Sequence, residues 1–350
     1  MKKQSKFYLE RYPTKERPEP VLMPRLEIPW EGGAVFNPAV VYEDGLFRML
    51  YRTYPTITTQ TKQKRSDRPG YFLKNQKSWI GYAESTDGFT FTRRDIPFIS
   101  PDMPYDCGGC EDPRVTKIGD TFYITYTALD AALDEALPSR PGIRIALATT
   151  KDFVTVVKHG IIGPPRRSKA AAFFPEPVAG GKTAFILTAD SDSVLSHLAL
   201  RYFDSIEQAM TLSEQGWDQF LITSQETASI KTAWWLDRGP ELGGPPIKTD
   251  RGWLLIYAAE AMSATWTAAA ALLDTENPHK LIARTPGSIL QPATEYELNG
   301  LVKNVTFPSA SVVVGDELYV YYGAGDTVIG LARCNLNELL DYIETFKDKA

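Results

Sequence analysis

Cys107-Gly-Gly-Cys-Glu-Asp-Pro-Arg114 runs directly into Val115-Thr-Lys-Ile-Gly-Asp-Thr-Phe-Tyr-Ile-Thr-Tyr126. The first part sets two adjacent carboxylates, Glu111 and Asp112, beside a proline that fixes the backbone. Next comes an arginine able to hold a carboxylate or a sugar hydroxyl in bidentate geometry. The second part reads as strand, turn and strand. Taken alone, the stretch also suits a loop whose Asp caps a turn and whose Arg makes a surface ion pair. The rest of the chain decides between these readings, because the pattern recurs.

Upstream, Asn37-Pro-Ala-Val-Val-Tyr-Glu-Asp-Gly-Leu-Phe-Arg-Met-Leu-Tyr-Arg52 is a hairpin by its Asp-Gly turn and its β-branched and aromatic content. Trp79 to Thr92 supplies two more strands. Downstream, the pattern returns at Phe174-Pro175, at Pro245-Pro246 through Tyr257, and at Phe307-Pro308 through Tyr322. The marker prolines Pro38, Pro113, Pro175, Pro246 and Pro308 are spaced by about 60 to 75 residues. Five units of about four strands give an all-β chain, a five-bladed β-propeller over residues 31–334. Residues 1–30, rich in proline and charge, read as an extended lead. Residues 335–350 read as a C-terminal helix, since Asn335 and Glu338 have capping-box spacing. Ala- and Leu-rich 129–141 reads as a short helix, and Pro55 to Lys77 as a basic loop suited to solvent, a lid or a subunit contact.

The chain has 350 residues, of which 43% are hydrophobic and 23% charged, as in ordinary globular proteins. A net charge of -5 argues against nucleic acid or an anionic membrane as the main partner. The N-terminus has positive charge without an apolar stretch behind it, and no later run is long enough to span a bilayer; the expected location is the cytoplasm. Cys107 and Cys110 have C-x-x-C spacing, but Cys334 is the only other cysteine and the three histidines are scattered, so no metal site is expected.

A propeller places the first strand of each blade against the axis, so residues beside the marker prolines should converge at one mouth. That expectation gathers Asn37, Asp112, Glu176 and the segment around Phe307, with Arg52 and Asp326 at the other ends of their hairpins. Such a polar pocket, rimmed by Tyr and Trp, suits a carbohydrate, whose hydroxyls need paired donors and acceptors and whose ring faces pack on flat aromatic surfaces.

As a set, Gly109-Cys-Glu-Asp-Pro-Arg-Val115, the Asn37-Pro-Ala-Val-Val-Tyr opening with Arg52, Gly244-Pro-Pro-Ile with Gly252-Trp-Leu-Leu-Ile-Tyr257, and Tyr321-Tyr-Gly-Ala-Gly-Asp-Thr-Val-Ile-Gly-Leu-Ala332 resemble glycoside hydrolase family 130. The resemblance implies a five-bladed propeller acting on β-mannosides with inversion, mostly by phosphorolysis and in a minority by hydrolysis. It implies that Asp112 is the single catalytic acid, protonating the leaving oxygen through the sugar's own 3-hydroxyl. It further implies that Asn37, Arg52 and Asp326 hold the mannosyl unit and that Arg166 and Lys169 bind phosphate. Arg114 and Tyr257 are expected among the substrate-binding residues.

Two departures favour water. Where phosphorylases of the family carry a His-Arg pair this chain has Leu187-Thr-Ala-Asp-Ser-Asp192, and where they carry a His it has Tyr257-Ala-Ala-Glu260. Phosphate bears roughly -1.5 to -2 charges near neutral pH, and added carboxylates repel it. An inverting hydrolase needs a base roughly 6.5 to 9.5 Å from the acid. Asp190, Asp192, Glu226 and Glu260 are candidates, with Asp190 and Glu260 foremost. The sequence therefore reads as an inverting β-mannosidase. Phosphorolysis with inorganic phosphate as co-substrate is the first alternative, and a non-catalytic carbohydrate-binding propeller the second. The expected partner is an oligosaccharide substrate; no cofactor is implied, and a homo-oligomer is compatible with the extended lead and basic loop.

Overall fold

The computed structural model describes residues 6–13, 19–58, 62–64, 71–73, 76–131, 142–165, 168–178, 180–190, 196–228, 230, 236–261 and 265–347. Five antiparallel sheets form the five blades. Blade one comprises Ala34–Glu43, Leu46–Tyr54, Trp79–Ser85 and Thr92–Arg93, and blade two Gly109–Ile118, Thr121–Leu129, Ile143–Thr150 and Val157–Ile161. Among the described residues blade three has three strands, Ser168–Phe173, Thr183–Ala189 and His197–Phe203. The helix Glu214–Thr227 follows its outermost strand, with His197 Nε2 2.9 Å from Ser224 Oγ.

The inner strand of blade four is broken into Leu236–Leu242 and Ile247–Thr249, both pairing with Gly252–Ala261, and Thr265–Leu273 and Leu281–Arg284 complete the blade. Blade five contains Thr306–Val314, Glu317–Ala324 and Val328–Asn335, and its fourth strand is Glu10–Arg11 from the lead. The lead thus closes the ring. The C-terminal helix Leu336–Glu344 begins where Asn335 accepts a hydrogen bond from the Glu338 backbone N–H, and it buries Leu339, Leu340 and Ile343. Most of the expected helix at 129–141 and about half of the basic loop lie outside the described residues; within that loop Lys62–Lys64 pairs with Tyr71–Leu73.

Both faces of each sheet are apolar because each packs on a neighbouring blade. In Trp253-Leu-Leu-Ile-Tyr257 the odd residues join blade three's core and the even ones blade five's, the period-2 alternation of a strand buried on both sides. Five such clusters, one per blade junction, hold the ring. At about 25 cal/mol per Å² of apolar surface buried, this packing is the main stabilising term.

The feature that recurs on the inner strands is a bulge. Asn37, Asp112 and Ala170 all have left-handed backbones, with φ of 46°, 48° and 44°, at register shifts in blades one, two and three. Asn and Asp adopt that region more readily than other side-chain-bearing residues. Of the marker prolines, Pro38 and Pro113 lie in these bulges and Pro308 borders the one in blade five. Pro175 follows the end of its strand and Pro246 falls in the break of blade four's inner strand, so neither marks the mouth. Glu176 is correspondingly exposed and ion-paired with Lys248, away from the expected cluster.

Behind three bulges stands the same support. Tyr51, Tyr126 and Tyr322, on the second strands, donate to the buried acids Glu31, Asp106 and Glu297 at 2.8, 2.9 and 2.7 Å. Each acid is paired with a cation: Arg25 and Arg93, Lys158, and Arg11. A β-carbon on Gly81 would meet the Tyr51 ring at 2.4 Å and one on Gly330 the Tyr322 ring at 2.3 Å, so glycine makes room for the tyrosines.

Candidate active site

The bulges of blades one and two meet. Asn37 Nδ2 donates to Asp112 Oδ1 at 2.8 Å, and Arg52 NH1 donates to the same oxygen at 3.1 Å. Arg52 NH2 reaches Glu111 Oε1 at 2.5 Å and also the Tyr54 hydroxyl. The guanidinium lies against two adjacent rings, 4.6 Å from the Phe36 ring centroid and 4.8 Å from that of Tyr54, which are themselves 5.6 Å apart. Asn37, Arg52, Glu111 and Asp112 are all buried.

Burial pushes the Asp112 carboxyl up, but Arg52, Arg114 and the Asn37 hydrogen bond outweigh it and hold Asp112 below the usual carboxylate range. For Glu111 burial wins over Arg52, and the neighbouring Asp112 charge adds to it, so Glu111 titrates above its ordinary value. Lys169 sits close enough for its charge to pull both carboxyls down. Asp326, in a left-handed turn with φ of 51°, adds its charge to the field around Arg52.

Corresponding positions of the blades face the next blade around the ring. Arg52 faces blade two. Ala258, which pairs with Glu241, packs with Val305 and Phe307 toward blade five, and the Trp266 ring is tilted 56° against that of Phe307 at 5.4 Å. Glu260, on the same face as Ala258, is buried at the place that Tyr54 holds in blade one. Asp190 holds that place in blade three, exposed, with φ of 51°. Glu226 is exposed near the end of the helix Glu214–Thr227, and Arg166 and Asp192 lie outside the described residues.

Two expected substrate contacts are engaged elsewhere. Arg114 is 1% exposed, and its guanidinium is used on backbone carbonyls: Asp112 at 3.0 Å, Pro113 at 3.2 Å, Leu242 at 3.0 Å, and Gly243. It ties the blade-two bulge to blade four. Tyr257 is packed in the apolar junction with blade three, hydrogen-bonded to Arg284, and burial pushes its hydroxyl up to about 12. Sequence reasoning left Glu241 out. Its signal is a lone buried acid in Gly239-Pro-Glu-Leu-Gly243, a segment with no other charge.

A buried acid held by an amide and an arginine, beside a lysine and an aromatic shelf, defines a propeller enzyme that cleaves glycosidic bonds. The chain belongs to glycoside hydrolase family 130: the family described as beta-1,4-mannooligosaccharide phosphorylase matches residues 8–345. It is 34% identical over 321 residues to the 1,2-beta-oligomannan phosphorylase of Thermoanaerobacter sp. (strain X514), covering 92% of this chain and 96% of that one. To the beta-1,2-mannobiose phosphorylase of Listeria innocua serovar 6a it is 31% identical over 299 residues, 85% of this chain and 78% of the relative. The structure of a beta-1,2-mannobiose phosphorylase from Listeria innocua, in complex with beta-1,2-mannobiose, superposes with a TM-score of 0.74 at 25% identity, over 96% of this chain and 99% of that one. Membership makes the chain a glycoside hydrolase or glycoside phosphorylase, and the non-catalytic sugar-binding alternative falls away. Among the described residues, no helix is long and apolar enough to cross a membrane.

Proposed function

We propose that this chain is an inverting β-mannoside phosphorylase that cleaves β-1,2-linked mannooligosaccharides with inorganic phosphate. The observation that carries the reading is Lys169, a further cation beside Arg52 whose charge reaches both Glu111 and Asp112. A dianionic nucleophile needs such a cation, and water does not. The likeness to two named phosphorylases, over 92% and 85% of this chain, supports the same reading over the hydrolysis that the departures at Asp190 and Glu260 favour.

In this reaction Asn37, Arg52 and Asp326 hold the mannosyl unit. Asp112 gives its proton to the leaving glycosidic oxygen by way of the sugar's 3-hydroxyl. As the C1–O bond breaks, a phosphate oxygen forms a bond to C1 from the opposite face. The products are α-mannose 1-phosphate and a glycan shorter by one unit. Substituting Lys169→Met tests the assignment: the KM for phosphate should rise at least about tenfold while the KM for mannobiose changes little. An unchanged phosphate KM would contradict it.

A second reading remains hydrolysis, favoured by one observation: Glu260 is buried at the place equivalent to Tyr54, on the face directed at blade five. There it would act as the base that activates water. Sugar release at full rate in phosphate-free buffer, abolished by Glu260→Gln, would select this reading.

A further inference from the structure

Glu111 has no part in the chemistry above, yet it is more elaborately held than Asp112. Its Oε1 accepts from Arg52 NH2 at 2.5 Å, from the Tyr54 hydroxyl at 3.1 Å and from Ser78 Oγ at 3.2 Å. Ser78 is itself fixed, since its carbonyl accepts from the Cys110 N–H at 3.0 Å. A β-carbon on Gly109 would lie 2.3 Å from Ser78 Oγ, so that glycine keeps the serine in reach. The positions that match Glu111 in blades one and three carry Phe36 and Lys169, so a carboxylate is not demanded by the fold there.

The one guanidinium of Arg52 is divided between two carboxylates, NH2 to Glu111 and NH1 to Asp112. Were Arg52 free to turn wholly onto Asp112, it would press that already lowered carboxyl down further and make the proton an acid must deliver scarcer still. We infer that Glu111 is a positioning residue for glycoside cleavage: it draws Arg52 away from full engagement with Asp112 and so sets the pH range over which Asp112 carries its proton. The other charged or titratable groups that act on the pair are Tyr54 from blade one, Lys169 from blade three, Arg114 beside the bulge, and Asp326 through its effect on Arg52. The Tyr54 hydroxyl also accepts from Arg52 NH2 and itself donates to Glu111. The inference rests on the reading of Asp112 as the acid.

The test is the pH dependence of kcat/KM on β-1,2-mannobiose at saturating phosphate for the full chain and for Glu111→Gln, Glu111→Asp and Asp112→Asn. Removing the Glu111 charge should move the alkaline limb, where the acid loses its proton, to lower pH by about 1 unit. Glu111→Asp, whose carboxylate is withdrawn by one methylene, should move it in the same direction by less. It carries the test alone if the glutamine variant does not fold. Profiles of both Glu111 variants that superpose on the wild type, at whatever absolute rate, would overturn the inference. Asp112→Asn should be inactive throughout; if it retains activity, the assignment of the acid fails, a separate result from an unmoved limb.

Discussion

Gly323 of blade five lies directly against the Asn37 side chain of blade one: a β-carbon on the glycine would fall 2.1 Å from Asn37 Oδ1 and 3.1 Å from its backbone N. In blade one the equivalent position holds Arg52. One blade therefore supplies a cation there and another supplies empty space, and the space lets Asn37 reach Asp112. Gly323→Ala should displace Asn37 by about 1 Å and lower kcat/KM about 10²-fold, with little loss of melting temperature. Steady-state kinetics with β-1,2-mannobiose and phosphate checks this, and an alanine variant with wild-type kcat/KM would show that the contact is dispensable.

Asp112 also bears on stability. Its folded-state pKa lies below the ordinary carboxylate value, so its ionisation contributes stability that is present above about pH 3.9 and lost as pH falls through the folded value. Asp112→Asn should therefore melt a few degrees lower than wild type at pH 7. The gap should close on acidification toward pH 3. Melting curves at both pH values check the sign, and a gap that widens in acid would contradict it.

Arg114 is predicted to matter for folding ahead of binding. Replacement by Met fills the space but leaves the carbonyls of Leu242 and Gly243 without their donor and Asp112 with one fewer positive charge beside it. Loss of one partner from a buried charged network costs about 3–5 kcal/mol. Chemical denaturation should show that loss, with a mannobiose KM close to wild type in whatever fraction folds. A stable variant with a greatly raised KM would return Arg114 to the substrate-binding residues.

Glu297 fastens the lead to the ring. It accepts from Arg11 at 2.7 and 2.8 Å, from the Tyr322 hydroxyl at 2.7 Å, and from the backbone N–H groups of Ala293 and Thr294 at 2.7 and 2.9 Å. Glu297→Gln removes the charge that Arg11 needs, and the strand Glu10–Arg11 should open more often. Hydrogen exchange at Tyr12, whose N–H donates to the Leu331 carbonyl at 2.9 Å, should quicken at least about tenfold, while exchange in blade two stays unchanged.

Much of this was legible in the sequence because it is local. The Asp44-Gly45 turn has φ of 54° and 75°, the left-handed pair that such a dipeptide favours, and the flanking residues pair as expected. Asn37-Pro38 and Asp112-Pro113 announce their bulges by chemistry. Ala170 does not: nothing in Lys169-Ala-Ala-Ala marks the second residue as left-handed, so Pro175 was taken as the marker of that blade instead. The partners of Arg114 were not legible, because Leu242 and Gly243 stand well over a hundred residues away, while Asp112 is two residues away. The strand Glu10–Arg11 is too short to show an alternating pattern, and its place in blade five depends on closure of the whole ring.

The central claim is that Asp112 delivers a proton while phosphate attacks. The most direct measurement follows the products of β-1,2-mannobiose by proton NMR, with and without inorganic phosphate. The account predicts α-mannose 1-phosphate and free mannose in equal amounts when phosphate is present, and no turnover when it is absent. Two free mannoses released at a rate indifferent to phosphate, the new reducing end appearing first as the α-anomer, would contradict it and make Glu260 the residue to pursue.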